Sequence, residues 1–255
     1  MIKIGTDIEC FIIDSNNSPV NAAPFIKGSK HYPFEWKKGY FTSLDCVLME
    51  YNTPPTDSKT VFKQSIIDSL AYLKTLLPEG LDLSYFPAYN FPTSELNTPE
   101  STVFGCEADY NAWTRRVNTI KIDSENTLRS AGLHLHLDCN PRKRIALIKN
   151  LDLCLGIPAL ILEPSNKRKN LYGKAGAFRA TKYGVEYRHL SSWFQQESYL
   201  DFLWENSVKA LELTNNGFIA DKEIQDIINT KDIVRATRLI KEFDLLKYIN
   251  KKNEI

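Results

Sequence analysis

Leu133-His134-Leu135-His136-Leu137-Asp138-Cys139 alternates without interruption: Leu133, Leu135, Leu137 and Cys139 fall on one side, His134, His136 and Asp138 on the other. Successive side chains of a β-strand point to opposite faces, so this period of two predicts a half-buried strand with a polar working face. Three further segments read the same way. From Ile2 to Ile12, the even positions Ile2, Ile4, Thr6, Ile8, Cys10 and Ile12 oppose Lys3, Gly5, Asp7 and Glu9. From Asp45 to Asn52, Val47, Met49 and Tyr51 oppose Cys46, Leu48, Glu50 and Asn52; from Gly184 to Leu190, Val185, Tyr187 and His189 oppose Glu186 and Arg188. Strands of this kind predict an α+β fold: one antiparallel sheet, polar on one face, with helices packed on its apolar face.

The polar face then gathers Asp7, Glu9, Glu50, His134, His136 and Glu186. Carboxylates at i and i+2 lie about 7 Å apart, and at an effective dielectric near 20 such a pair repels by roughly 2 kcal/mol. Three or four acids together therefore need a cation. Oxygen ligands with an occasional imidazole suit Mg²⁺ or Mn²⁺, whereas zinc prefers Cys or several His. Singly, each motif has an ordinary explanation, since Asp-x-Glu is usually a solvated face and Glu-x-Arg a surface ion pair. Their order along the chain, acid-x-acid, acid, His-x-His, Glu-x-Arg, is what points to a site.

Helical periodicity fills in the cover of the sheet. Phe62, Ile66, Leu70, Leu73 and Leu77 form a stripe predicting a helix from Lys59 to Leu77, with Ser58 as cap and Pro78 and Gly80 ending it. A second helix starts after Asn140, with Pro141 at its first position, and is expected to break at Gly156 and Pro158. A third runs from Ser198 to Thr214 and stops near Asn216-Gly217. Residues 82–118 show little periodicity and read as an irregular insert shaping a pocket, with Asp109, Asn111 and Trp113 as candidates in it. The chain divides into a catalytic-type domain, 1–217, and a helical tail, 218–255, with helices at Glu223–Ile228 and Asp232–Phe243.

At 255 residues, 43% hydrophobic and 25% charged, the chain is long enough for one sizeable core. A net charge of +1 gives no argument for nucleic-acid binding. No signal peptide precedes the acidic strand and no apolar run is expected to approach a membrane span, so the reading is a protein of the cytoplasm with no membrane partner. Cys10, Cys46, Cys106, Cys139 and Cys154 form no C-x-x-C pair and read as reduced thiols. Cys106 is a weaker candidate nucleophile, lacking an evident base.

Five segments carry a family resemblance: Gly5-Thr-Asp-Ile-Glu-Cys-Phe11, Met49-Glu-Tyr-Asn-Thr-Pro-Pro55, Phe104-Gly-Cys-Glu-Ala-Asp-Tyr-Asn-Ala-Trp113, Arg129-Ser-Ala-Gly-Leu-His-Leu-His136, and Tyr172-Gly-Lys-Ala-Gly-Ala-Phe-Arg179 through Glu186-Tyr-Arg188. As a set the chain resembles the carboxylate–amine ligases of the glutamine synthetase and glutamate–cysteine ligase superfamily, most closely the phage-encoded COOH·NH2 ligase group. The resemblance implies a curved antiparallel sheet of glutamine-synthetase-like type holding two or three divalent ions. It also implies ATP, a substrate carboxylate (small molecule, peptide or protein) activated as an acyl phosphate, and an amine that displaces the phosphate; a phage protein would work in the host cytoplasm. Carried over residue by residue, Glu9, Glu50 and Glu186 look like metal ligands, His134 like a ligand on the nucleotide side, and Arg188 like the phosphate-facing Arg. Asp7 stands where glutamine synthetases have Glu.

The physics of anion meeting anion agrees with those roles, since Arg168, Lys174, Arg179 and Arg188 supply the positive charge that phosphoryl transfer needs. Glu50, Glu186, Arg179 and Arg188 are the catalytic candidates; Lys174, Arg179, His134 and Arg168 those for ATP; Arg129, His136 and Asn52 those for substrate. A metal-dependent phosphotransferase and a non-catalytic binding protein retaining the fold stay open beside the ligase, and oligomeric state is not legible.

Overall fold

The structure is a computed structural model that describes residues 2–102, 109–118, 127–165, 167–170 and 172–249. Cys106, with Phe104 to Glu107, lies outside the described residues. Twelve strands are described: β1 (Ile4–Asp14), β2 (Pro19–Val20), β3 (Phe34–Lys37), β4 (Tyr40–Asp45), β5 (Leu48–Thr56), β6 (Leu81–Ser84), β7 (Ala88–Asn90), β8 (Tyr110–Asn111), β9 (Leu128–Ser130), β10 (Leu133–Asp138), β11 (Ala177–Ala180) and β12 (Gly184–Tyr187). Ten of them form one open sheet in the order β3-β4-β5-β1-β10-β12-β11-β8, with β2 and β6 pairing with β1; β7 and β9 form a second, two-stranded sheet. Its strand pairings are antiparallel, and the first half of the long β1 lies between β5 and β10 while its second half is shared by β2 and β6.

Alternation places Ile4, Ile8, Cys10, Met49, Tyr51, Leu133, Leu135, Leu137, Val185 and Tyr187 on the buried face. Helices α1 (Lys59–Thr75), α3 (Arg144–Leu151) and α5 (Glu197–Asn215) cover that face with Phe62, Ile66, Leu147, Ile148, Leu200 and Leu203, all in one hydrophobic cluster. A short helix, α2 (Pro99–Thr102), stands apart in the loops. The Ser58 hydroxyl accepts from the Val61 N–H, the cap expected for α1.

Three expectations are corrected. The helix after Asn140 does not break at Gly156: a wide π turn, Asp152–Gly156, joins α3 to α4 (Ile157–Leu162), and the Ile157 N–H donates to the Asp152 carbonyl. Pro158 is tolerated because it sits in the first turn of α4, where its missing N–H matters least. The resulting continuous helix, Pro141–Leu162, is 22 residues long and apolar enough by composition to span a bilayer, contrary to expectation, yet 72% of its most apolar stretch is buried as a core helix. Residues 82–118 are not wholly irregular, since they supply most of β6 and all of β7 and β8. The tail helices α6 (Lys222–Thr230) and α7 (Ile233–Glu242) set Ile224, Ile227, Ile228, Leu239 and Ile240 into the main cluster.

Candidate active site

Antiparallel register lays the polar face out in three rows. Glu9 pairs with Glu50, which pairs with Ser43; Asp7 lies between Asn52 and His134; His136 lies between Gly5 and Glu186, which pairs onward with Arg179. Asp7, Glu9, Glu50, Asn52, His134, Arg179, Glu186 and Arg188 line a cleft of about 210 Å³, with Lys30, Ser43 and Asp45 beside them. The convergence expected of four separate strands is therefore present.

Burial then decides the charge on each acid. Burial, with the Asp45 carboxylate, pushes the Glu9 carboxyl up to about 7, although it accepts from the Gly132 N–H. Burial and the neighbouring Asp7, Asp45 and Glu9 carboxylates push Glu50 well above its ordinary value, against the Ser43 hydroxyl that donates to it at 3.1 Å. For Asp7 burial acts upward too, but His136, 2.8 Å away, and the Asn52 amide that donates to it hold the carboxyl below its ordinary value. His136 is the counterpart: burial opposes its charge and ionised Asp7 raises it, while its other nitrogen lies 2.8 Å from the Tyr183 hydroxyl.

On the far side of the cleft the charges are cationic. Arg188 donates to Glu186 and places its Nε 2.7 Å from Asp109 Oδ1; Arg179 lies 3.7 Å from Glu186 Oε1 and 3.8 Å from Asp109 Oδ1. Two carboxylates thus stand between two guanidiniums. Burial and then Arg188, Arg168 and Arg179 hold His134 well below the usual imidazole range, and Arg188 Nη1 lies 3.2 Å from His134 Nδ1.

Ligand atoms of Asp7, His136 and Glu186 all lie within 4.8 Å of one another. His136, read as a substrate candidate, joins the group of potential metal ligands, whereas His134 is engaged by Arg188. This donor set of carboxylates with one imidazole, beside acids whose charge is suppressed without a counter-ion, fits a hard divalent cation.

Four expected residues lie off the cleft wall, and one of them, His136, stands beside Asp7 and Glu186 without lining it. Arg168 is buried behind it, donating to the His189 carbonyl at 2.8 Å and the Arg188 carbonyl at 3.3 Å, so it braces the segment after β12. Arg129 is buried on β9 and donates to the Ser101 carbonyl at 2.9 Å. Lys174 is exposed on the turn between Gly173 and Gly176. Gly176 has φ +76°, and a Cβ there would lie 2.5 Å from Trp113 Cδ1, so the turn closes only with glycine. Sequence reading passed over Asp45, Lys30 and Tyr183; Asp45 opens the segment Asp45–Asn52, two residues before its apolar alternation starts at Val47, and in the structure it ends β4.

No curated protein sequence matches the chain. Among solved structures, a bifunctional glutathione synthetase from Pasteurella multocida shares the fold at TM-score 0.54 and 12% identity, over 99% of this chain and 45% of that one. An apo structure of GmaS does so at TM-score 0.50 and 10% identity, over 98% of this chain and 65% of that one. The chain thus spans less than two thirds of the length of either protein. Residues 127–201, which carry His134, His136, Arg168, Lys174, Arg179, Glu186 and Arg188, match the family described as phage phiEco32-like COOH.NH2 ligase-type 2.

Proposed function

We propose that this chain is a carboxylate–amine ligase that uses ATP and a divalent cation, Mg²⁺ or Mn²⁺, to activate a carboxylate as its acyl phosphate and join it to an amine. The observation that carries this reading is the meeting, on one sheet face, of the acids of β1, β5 and β12 with the guanidiniums of Arg179 and Arg188. Acids alone would suit many metal sites; acids facing two arginines suit phosphate between metal and protein. The family match over residues 127–201 supports it.

In this reading the substrate carboxylate attacks the γ-phosphorus, the bond to the bridging oxygen breaks, and ADP leaves. The amine then attacks the acyl carbon, phosphate departs, and the amine gives up a proton. Asp7, Glu9, Glu50, His136 and Glu186 would hold the cation, which neutralises phosphate charge when bound. Arg179 and Arg188 meet the charge developing on the transferred group, and Arg168 holds the Arg188 backbone in place. His134, kept neutral, takes the Arg188 contact and fixes that guanidinium. Lys174, exposed on its glycine turn, is assigned to the nucleotide, and Asn52 keeps Asp7 oriented.

The test is turnover of ATP with Mg²⁺, hydroxylamine and a panel of amino-acid, peptide and other carboxylates. Hydroxamate with ADP and phosphate is the expected outcome. AMP and pyrophosphate would refute the acyl-phosphate route, phosphorylated acceptor without amide would favour a phosphotransferase, and no carboxylate-dependent turnover would favour a binding protein.

A further inference from the structure

The two histidines of β10 differ in the partner of their Nδ1 atoms. His134 Nδ1 lies 3.2 Å from Arg188 Nη1, and a guanidinium only donates, so that nitrogen keeps its lone pair and the proton of the neutral ring sits on Nε2. His136 turns Nε2 to Asp7 Oδ2 at 2.8 Å and Nδ1 to the Tyr183 hydroxyl at 2.8 Å, and a phenol oxygen accepts as well as donates. We propose that Tyr183 is a positioning residue of the cation site: its oxygen accepts from His136 Nδ1–H, which leaves the Nε2 lone pair facing Asp7 and Glu186 for a divalent ion. This rests on the reading of the polar face as a cation site, and it names the residue that fits His136, and not His134, to ligate.

The tautomer is the step that needs the tyrosine. A neutral imidazole carries one N–H. On Nε2 that proton would donate to Asp7 and stand where the cation must bind; on Nδ1 it needs an acceptor, and among the described residues the Tyr183 oxygen is the atom within hydrogen-bond distance. Imidazoles that ligate metals almost always donate their other N–H to such a partner, and losing the partner costs about 10- to 100-fold in metal affinity.

The backbone holds Tyr183 in place for this contact. It stands in the turn between β11 and β12, where the Thr181 N–H donates to the Gly184 carbonyl at 3.1 Å and the Gly184 N–H to the Thr181 hydroxyl at 2.9 Å. The Tyr183 carbonyl accepts from the Cys139 N–H at 3.2 Å, tying the turn to the end of β10, and Arg144 of α3 donates to the Thr181 carbonyl. Glu186 follows three residues later on the same hairpin, so the hydroxyl that orients His136 and the acid that faces it are carried by one unit. Core packing does not explain the position of the ring. Tyr183 is 46% exposed and stands outside the hydrophobic cluster, and its ring centroid is 6.2 Å from that of His136, so the close approach is hydroxyl to nitrogen.

Isothermal titration of the full chain with Mn²⁺ alone, without nucleotide, tests this apart from ligase turnover. The wild type should bind saturably, and Tyr183→Phe, which keeps the ring and loses the oxygen, should bind about tenfold more weakly. Because Tyr183 acts through His136, the same change made on His136→Gln should alter affinity by less than about twofold. Pulsed electron paramagnetic resonance of the bound Mn²⁺ supplies a signature that a merely structural role would not move: coupling to an imidazole nitrogen, present in the wild type and lost in His136→Gln. Circular dichroism melting shows that each variant folds. The inference is overturned, with the cation site left standing, if folded Tyr183→Phe binds as tightly as the wild type, if the nitrogen coupling is absent from the wild type or survives His136→Gln, or if Tyr183→Phe weakens binding equally with and without His136. Affinity of Tyr183→Phe and coupling in the wild type still decide if His136→Gln does not fold. A wild type that binds no Mn²⁺ overturns the cation reading and this inference together, whereas Mn²⁺ binding without amide formation leaves the inference intact.

Discussion

Glu9 governs how the cation-free site responds to pH. Its carboxyl is raised to about 7 in the folded chain, by burial and then Asp45, against about 4.3 when unfolded. Between those values the folded state holds a proton that the unfolded state has released, so stability from this group falls as pH rises from about 4 to 7 and is flat above. The loss is on the order of 3 kcal/mol at pH 8. A cation that binds the ionised acids reverses this, so Mg²⁺ should stabilise the fold, by about 2.7 kcal/mol at a hundredfold excess over Kd, and the rise in melting temperature should be larger at pH 8 than at pH 6. Glu9→Gln should be the more stable protein in EDTA at pH 8 and gain less from Mg²⁺. Thermal melts across pH with and without Mg²⁺ check this, and an unchanged profile in Glu9→Gln would remove Glu9 from the site. The two arginines separate similarly. Arg188 is buried between Glu186 and Asp109, so Arg188→Ala strands two buried carboxylates and should cost about 3–5 kcal/mol of stability. Arg179 is partly exposed, with acid contacts at 3.7 and 3.8 Å, so Arg179→Ala should cost about 1 kcal/mol or less while ligase turnover falls on the order of 100-fold. Denaturant midpoints beside turnover rates distinguish them. At this scale alternation tells which face a residue occupies, but not which ring reaches which acid. That is why the ring that groups with Asp7 and Glu186 is that of His136 while His134 lies against Arg188, and why the buried partner of both arginines, Asp109, was legible only as one candidate in a loop.

At the scale of elements, the site depends on how closely β10 and β12 approach. A Cβ on Gly184 would lie 1.9 Å from the Leu137 carbonyl oxygen and 2.8 Å from the Cys139 nitrogen, both backbone atoms that cannot swing aside. Gly184→Ala must therefore part the two strands where His136 faces Glu186, and should destabilise by about 3 kcal/mol. Urea unfolding measures it; a change within about 0.5 kcal/mol would mean that the pair does not close so tightly. The elements legible in sequence are those long enough to repeat a pattern: β1 and β10 by alternation, α1 and α5 by their stripes. Strands of two to four residues, such as β6, β7 and β8, show no more than two full periods and fall almost wholly within the stretch 82–118 read as an irregular insert. The π turn was missed because Gly and Pro normally end helices, and here tertiary packing overrides that signal: Asp152 accepts from the Trp113 indole at 2.6 Å and the Tyr187 hydroxyl at 2.9 Å, holding the turn in the core.

At the scale of the whole molecule, the division after Gly217 that composition suggests is a hypothesis about folding. Ile224, Ile227, Ile228, Leu239, Ile240 and Leu245 are buried in the same cluster as β1, β10 and α3, and a Cβ on Gly156 in the π turn would lie 3.0 Å from Ile228. Fully burying an Ile or Leu is worth about 1.5–3 kcal/mol, so removing these side chains forgoes roughly 10 kcal/mol, comparable with the whole stability of a typical domain. The residues they cover, on α4 and the π turn, would then face water. Residues 1–217 alone should accordingly fail to melt cooperatively and should bind a dye that reports exposed apolar surface, whereas the full chain should melt in one transition. A cooperative transition in the 1–217 fragment, at a midpoint near that of the full chain, would instead make 218–255 a separate lobe. Because Tyr187 leads from the π turn to Glu186 and Arg188 on the opposite face, the same truncation bears on the cleft: a fragment that folds but has lost Mg²⁺ stabilisation would show that the tail sets the geometry of the site without touching it.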